Sequence, residues 1–159
     1  MRRFRLALLL CSIFFFFPFQ VYLIGDGIGI GIQAAVFRYQ ITSYGNILIP
    51  ITTDLMYIVN SVFSGKTGFS VIIWIIGTII LTCTVIYSLI HLQQSTLQLH
   101  KQILVGLTVT CVVYLVSCIV QYGLLLHGPA GVSIPIGILI LLLWIIIVKR
   151  YPEIFEKIF

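Results

Sequence analysis

Long apolar runs, separated by short polar stretches, dominate the pattern of the sequence. An α-helix needs about 20 mostly apolar residues to cross the hydrocarbon of a membrane. The runs that approach this length lie at 6–24, 69–91, 103–126 and 134–148. The last run is short, but Ser133 suits a helix N-cap and Lys149 and Arg150 suit the headgroup region. The pattern therefore predicts an all-α membrane protein, a four-transmembrane-helix bundle in one integral membrane domain over residues 1–159.

The segment between the first two runs, residues 25–68, is unusually apolar for a loop. In it Ile28, Ile30 and Ile32 alternate with glycines, and a period of two indicates a strand. A turn at 43–46 and a second extended stretch at 47–53 follow, and Thr53 or Asp54 can cap a helix over 55–63. We therefore expect a small extracellular hairpin followed by a short helix.

An alternative for part of this segment is that residues 47–63 enter the membrane as a re-entrant element. Asp54 would then cost about 2.5–3.5 kcal/mol near the bilayer centre. Pro50 and the short length of the stretch speak against this alternative.

Composition supports a membrane environment, since 60% of the residues are hydrophobic and only 8% are charged. A soluble domain carries roughly a quarter of its residues as charged side chains. The net charge of +5 comes from basic residues at the ends of the apolar runs, so nucleic acid is not an expected partner. With the N-terminus inside, the cytoplasmic basic residues are Arg2, Arg3, Arg5, Lys101, Lys149, Arg150 and Lys157, against Arg38 and Lys66 outside. This bias predicts a multi-pass protein of the cell membrane with both termini cytoplasmic.

In the last residues, 152–159, the apolar side chains fall on one face of a helix and the charged side chains on another. This pattern favours a brief amphipathic tail on the inner leaflet, although a frayed end fits equally well.

Small and hydroxyl residues line one face of each of the two central predicted helices. The rows contain Gly77, Thr84 and Ser88 on one helix, and Thr110, Tyr114, Ser117 and Gln121 on the other. Such rows allow helices to approach closely and to bond across their interface. The alternative is that they line a polar pathway, but ion pathways usually display ionisable groups near mid-membrane and this chain has none there.

Candidate chemistry is sparse. Asp26, Arg38, Asp54 and His127 all fall on the predicted outer side, where a carboxylate, a histidine and an arginine would support acid–base work or anion binding. Nothing in their spacing requires them to meet. The four cysteines all lie in apolar runs, and no catalytic site, metal site or cofactor is predicted.

The predicted topology resembles that of claudin-like tetraspan proteins, which have a long first outer loop with strands and a short helix, then a minimal second loop. That family carries a tryptophan-rich motif and a cysteine pair in its first outer loop. Residues 25–68 contain neither tryptophan nor cysteine. The resemblance is therefore one of topology, and it implies no family membership.

The leading functional hypothesis is a non-enzymatic accessory or structural subunit of a membrane complex. It would dock through Ile28, Ile30 and Ile32 on other membrane subunits or on copies of itself, because exposed apolar patches usually mark interfaces. Two alternatives remain open. One is a homo-oligomeric channel or carrier lined by the hydroxyl rows, and the other is a small membrane enzyme or electron-transfer subunit.

Overall fold

The computed structural model describes residues 2–25, 27–91, 96–129 and 131–150. These residues form five helices and six strands. The helices are α1 (Arg2–Phe16), α2 (Ile51–Val59), α3 (Gly65–Ile90), α4 (Thr96–Tyr122) and α5 (Ile136–Arg150). The strands are β1 (Gln20–Ile24), β2 (Gly29–Gln33), β3 (Phe37–Thr42), β4 (Gly45–Pro50), β5 (His127–Gly128) and β6 (Gly131–Ile134).

All six strands belong to one antiparallel sheet in the order β4-β3-β2-β1-β6-β5. Strands β1 to β4 follow one another along the chain, as in a meander. The later pair, β5 and β6, joins this meander because β6 pairs with β1. The sheet therefore combines chain from before α2 with chain from between α4 and α5.

The prediction of an all-α four-transmembrane-helix bundle is wrong. The first predicted span, 6–24, contains a helix only as far as Phe16, and Pro18 and strand β1 follow. Proline lacks a backbone N–H and disfavours helical geometry in the residue before it, so the helix stops there. The last predicted span, 134–148, also begins with strand, because Ser133 and Ile134 lie in β6 rather than at a helix start.

Only two helices in the described part of the chain are long and apolar enough to cross a membrane, by length and composition. They extend over Gly65–Ile90 in α3 and Lys101–Tyr122 in α4, and they overlap the predicted spans 69–91 and 103–126. Helices α1 and α5 have 15 residues each, about 22 Å at 1.5 Å per residue, which is shorter than a hydrocarbon core of about 30 Å.

The segment between β1 and α3 also differs from expectation. It holds three strands and the short helix α2, which begins at Ile51 rather than at 55. Pro50 occupies the N-cap position and no side chain caps the helix, so neither Thr53 nor Asp54 has the predicted capping role. Asp26 and the predicted tail 152–159 lie outside the described residues.

The core is centred on the pair α3–α4, against which the other elements pack. The rings of Trp74 and Tyr114 are stacked with centroids 3.9 Å apart, and Phe19 packs edge-on against Tyr114 at 4.5 Å. Phe19 lies just before β1 and is fully buried. Strand β1 is thereby joined to the middle of the α3–α4 pair.

The sheet lies beside the half of this helix pair that contains the end of α4. Phe19, just before β1, contacts Tyr114, and Gln20 contacts Cys118, one helical turn further on. The backbone N–H of Ser133 in β6, which pairs with Tyr22 of β1, donates to the carbonyl of Leu126, beyond the end of α4. These three contacts rise along α4 in the direction in which β1 runs.

Candidate functional site

Strand β2 turns its small residues, rather than its large apolar ones, toward the helices. Its glycines face the helices, and Ile30 and Ile32 face away from them. Glycine is required at residue 31, because a Cβ there would lie 2.6 Å from the hydroxyl of Tyr22, whose ring crosses this position. We call the side of the sheet toward the helices the inner face and the opposite side the outer face.

Where β1, β2 and β6 meet, the inner face is polar and buried. At its centre the Gln20 side chain bonds to three groups from three elements. Its amide nitrogen donates to Gln33 at 2.6 Å, and its oxygen accepts from Cys118 at 2.7 Å and from Ser133 at 2.9 Å. These bonds link strands β1, β2 and β6 to helix α4.

A second group of polar residues lies between the sheet and α2. Arg38 in β3 forms a two-pronged ion pair with Asp54 in α2, with one N–H···O distance of 3.0 Å between Nε and Oδ2. Both side chains are largely buried, 12% and 6% exposed. Burial raises the pKa of Asp54, and the hydrogen bonds and charge of Arg38 lower it in part.

Tyr22 belongs to the same group, since its hydroxyl accepts a 2.9 Å hydrogen bond from the amide of Gln40. Burial raises the pKa of this phenol above its ordinary value of 10.0, so it is neutral at physiological pH.

The predicted rows on α3 and α4 do lie against each other. Gly77 faces Tyr114, where an added Cβ would be 2.6 Å from the ring, and Thr84 packs against Gly106. Ser117 and Gln121 meet Ser70 of α3 through hydrogen bonds of 2.8–3.0 Å. The hydroxyls of Thr84, Ser88 and Thr110 instead bond to the carbonyl four residues earlier in their own helix. The interhelical hydrogen bonds are thus concentrated toward the sheet.

The predicted outer polar cluster does not assemble. Arg38 and Asp54 meet, but His127 lies in β5 and is exposed. Strands β2, β1 and β6 separate β3 from β5, which places the two strands about 19 Å apart at about 4.8 Å per strand. Asp26 lies outside the described residues.

Within the described ranges, no buried side-chain nitrogen or oxygen lacks a hydrogen-bond partner. No group of three or more His, Cys, Asp or Glu side chains there is placed to hold a metal ion. The polar residues of the inner face therefore bond to one another and leave no group directed at a ligand.

The outer face is apolar and uncovered. Its central residues, by strand pairing, are Val21, Leu23, Ile30, Ile32, Tyr39, Ile41, Asn46, Leu48, Val132 and Ile134. Phe37 and Pro50 also lie on this side, and so does His127 of the edge strand β5, which pairs with Val132. Five of the central residues are 39–61% exposed, from Leu23 to Leu48, and most of the others are partly exposed. No Asp, Glu, Lys or Arg lies among these residues.

Of the three predicted docking residues, Ile30 and Ile32 lie on the outer face, and Ile28 lies in the preceding turn with 46% of its surface exposed. The contributions of β1 and β6 were not predicted, because these residues fell within the first predicted membrane helix or at the start of the last one. The polar Gln20 within the first apolar run was the available signal, since a residue with four hydrogen-bonding sites needs partners inside the fold.

Comparison with protein-family models, with curated proteins and with solved structures finds no match to this chain.

Proposed function

We propose that this chain is a non-catalytic assembly protein of a membrane, anchored by the α3–α4 hairpin and docked to another membrane-anchored protein through the outer face. The single observation that carries this proposal is the uncovered apolar outer face on a sheet whose polar side chains are packed inside.

The membrane part of the proposal is supported by the surface of the helices. In each of the two long helices, only 39% of the most apolar 18-residue stretch is buried within the chain. The exposed remainder includes Ile72, Ile76 and Ile79 on α3, and Val105, Val109 and Val112 on α4. Hydrocarbon accommodates such a surface, and water does not.

The proposed orientation is supported by the charges and by the direction of the helices. Lys101 near the start of α4 and Lys149 and Arg150 at the end of α5 lie at the end of the molecule opposite the sheet. Helix α1 begins at that end as well, with its three arginines. The excess of basic residues supports an orientation with this end on the cytoplasmic side and the sheet outside.

Lipid is a poor occupant for the outer face. The sheet is open, with β4 and β5 at its edges, and an open edge immersed in hydrocarbon leaves backbone N–H and C=O groups without partners. Water is a poor occupant too, because contiguous apolar patches on soluble surfaces are usually covered by a partner. A protein surface satisfies both conditions.

The two alternative functions gain no support from the side-chain positions. The hydroxyl rows that a channel would use pack between α3 and α4, and their hydroxyls are hydrogen-bonded to protein groups. The acid–base pair that an enzyme would use is a buried ion pair, with His127 at the far edge of the sheet.

The proposal is tested by isolating the protein from its own membrane in mild detergent and measuring the mass of the intact assembly by native mass spectrometry. We expect a complex with another protein chain, and we expect Ile28→Ser/Ile30→Ser/Ile32→Ser to release it. The matched control is Ile72→Ser/Ile76→Ser/Ile79→Ser, which changes exposed isoleucines of α3 and should leave the complex intact. A single chain in the unaltered preparation, or a complex indifferent to the first set of substitutions, contradicts the proposal.

A further inference from the structure

We infer that the occupant of the outer face is a second copy of this chain, and that two sheets pack face to face about a two-fold axis along the membrane normal. This inference rests on the proposed function and names its partner. Three features of the described residues support it.

The first feature is the direction of the face. Because the contacts of Phe19, Gln20 and Ser133 rise along α4 in the direction in which β1 runs, the sheet stands upright beside the helix pair and its outer face points sideways, along the plane of the membrane. Two copies inserted in one membrane have the same orientation relative to the membrane normal, and a two-fold axis along that normal preserves it. The same axis brings the two outer faces together with their strands roughly aligned, as in packed sheets separated by about 10 Å.

The second feature is the area. The exposed fractions of the outer-face side chains correspond to roughly 600 Å² of surface per copy, or roughly 1,200 Å² when two copies meet, which is the lower end of a stable interface. Two membrane-anchored copies also share a plane and an orientation. They can therefore be held together by a smaller interface than two freely diffusing proteins would need.

The third feature is the lack of charge. A partner of different sequence is usually selected by complementary charges, and the outer face offers no Asp, Glu, Lys or Arg and a histidine only at its β5 edge. An isologous interface places each residue opposite a residue of the same patch, so a charged patch would repel itself and an uncharged one does not. Flat rows of isoleucine, leucine and valine fit this arrangement.

The test is cysteine cross-linking in native membranes, with two differently tagged copies expressed together. The background carries Cys11→Ser and Cys83→Ser, because these two thiols are accessible whereas Cys111 and Cys118 are buried. Single cysteines are then placed at Leu23, Ile30 or Ile41 on the outer face. The matched control is a cysteine at Leu55 of α2, whose exposed fraction of 44% is close to the 43% of Ile30.

We expect a short thiol cross-linker to join the two tagged copies at one or more outer-face positions and not at the α2 position. Adding Ile32→Ser to a variant that cross-links should reduce the cross-linked fraction at least about fivefold. Protection of Cys111 and Cys118 from a thiol reagent confirms that each variant is folded. If the serine variant is not folded, the single-cysteine scan alone decides the result.

The other outcomes separate this inference from the proposed function. Cross-linking of the outer face to a different protein overturns the second copy as occupant but leaves the assembly role standing. An outer face that cross-links to no protein, and whose cysteines react freely with a water-soluble reagent or lie against lipid, overturns both.

Discussion

The ion pair between Arg38 and Asp54 gives the sharpest test of how the sheet is held against α2. The perturbations are Asp54→Asn and Arg38→Met, each of which removes one charge, and the double replacement Arg38→Met/Asp54→Leu, which removes both. The guanidinium also lies over the ring of Phe63, 5.6 Å from its centre. Methionine preserves much of the apolar packing of the arginine stem there.

The magnitude follows from burial. The side chains of Arg38 and Asp54 are 12% and 6% exposed, so water does little to solvate a charge left without its partner. Removing one member of such a pair typically costs about 3–5 kcal/mol, whereas replacing both by apolar residues of similar volume is close to neutral. At about 2–4 °C per kcal/mol for a chain of this size, each single variant should lose about 6–20 °C in Tm and the double variant under about 4 °C.

The assay is thermal unfolding in mild detergent, followed by the reaction of buried thiols with a fluorogenic reagent in the Cys11→Ser/Cys83→Ser background. Cys118 reports on the contact between sheet and helices, because its thiol donates to Gln20. Cys111, which is fully buried, reports on the α3–α4 pair. We expect Cys118 to become reactive at a lower temperature than Cys111 in the single variants.

The control for this experiment is Lys66→Met, which removes an exposed charge at the same end of the molecule and should change stability by less than about 0.5 kcal/mol. Equal destabilisation of the single and double variants would refute the reasoning, because the cost would then arise from packing rather than from an unpaired buried charge. A loss below about 2 °C in both single variants would refute it as well.

Two further predictions use the same assay. Gly77→Ala should cost about 1–3 kcal/mol, because the new methyl group would meet the Tyr114 ring in a packed interface. Ile79→Ala, at an exposed site on the same helix, is the control, and equal melting of the two variants contradicts the prediction. Stability should fall as the pH rises above 10, because the unfolded chain then ionises Tyr22 while the folded chain keeps its raised pKa and its proton. Tyr22→Phe should remove that part of the pH dependence, and an unchanged slope contradicts the assignment.

The sequence predicted the two long helices and the strand character of β2, because each has a clear period. A long uncharged apolar run indicates a membrane helix, and the alternation of glycine and isoleucine at 27–32 indicates a strand. Both signals arise from neighbouring residues in the sequence, so they can be detected without knowledge of the rest of the fold.

The sequence did not predict β1, β6 or the single sheet that they complete. Residues 20–24 are a short apolar stretch, and hydrophobicity alone does not distinguish such a strand from a continuing helix. The decisive interactions are non-local, since β1 pairs with β6 more than a hundred residues later in the chain. Pro18 and Gln20 were the local signs that the first helix ends early.

The outer face was predicted only in part for a related reason. Ile30 and Ile32 are recognisable from their alternation, but Leu23, Ile41 and Ile134 join them only through strand pairing.

The polar inner face has a physical consequence for the outer one. A glycine-rich strand specifies its register weakly, because it has few side chains to lock it against a neighbour, and a slip by one residue would turn every side chain to the opposite face. Gln20, bonded at once to β2, β6 and α4, and Arg38, bonded to α2, fix that register through directional contacts that purely apolar packing does not supply. Because a slip would break these buried bonds, the isoleucine rows stay on the outer side. A docking surface built on such a sheet is presented ready-formed, and little ordering is required when a partner binds.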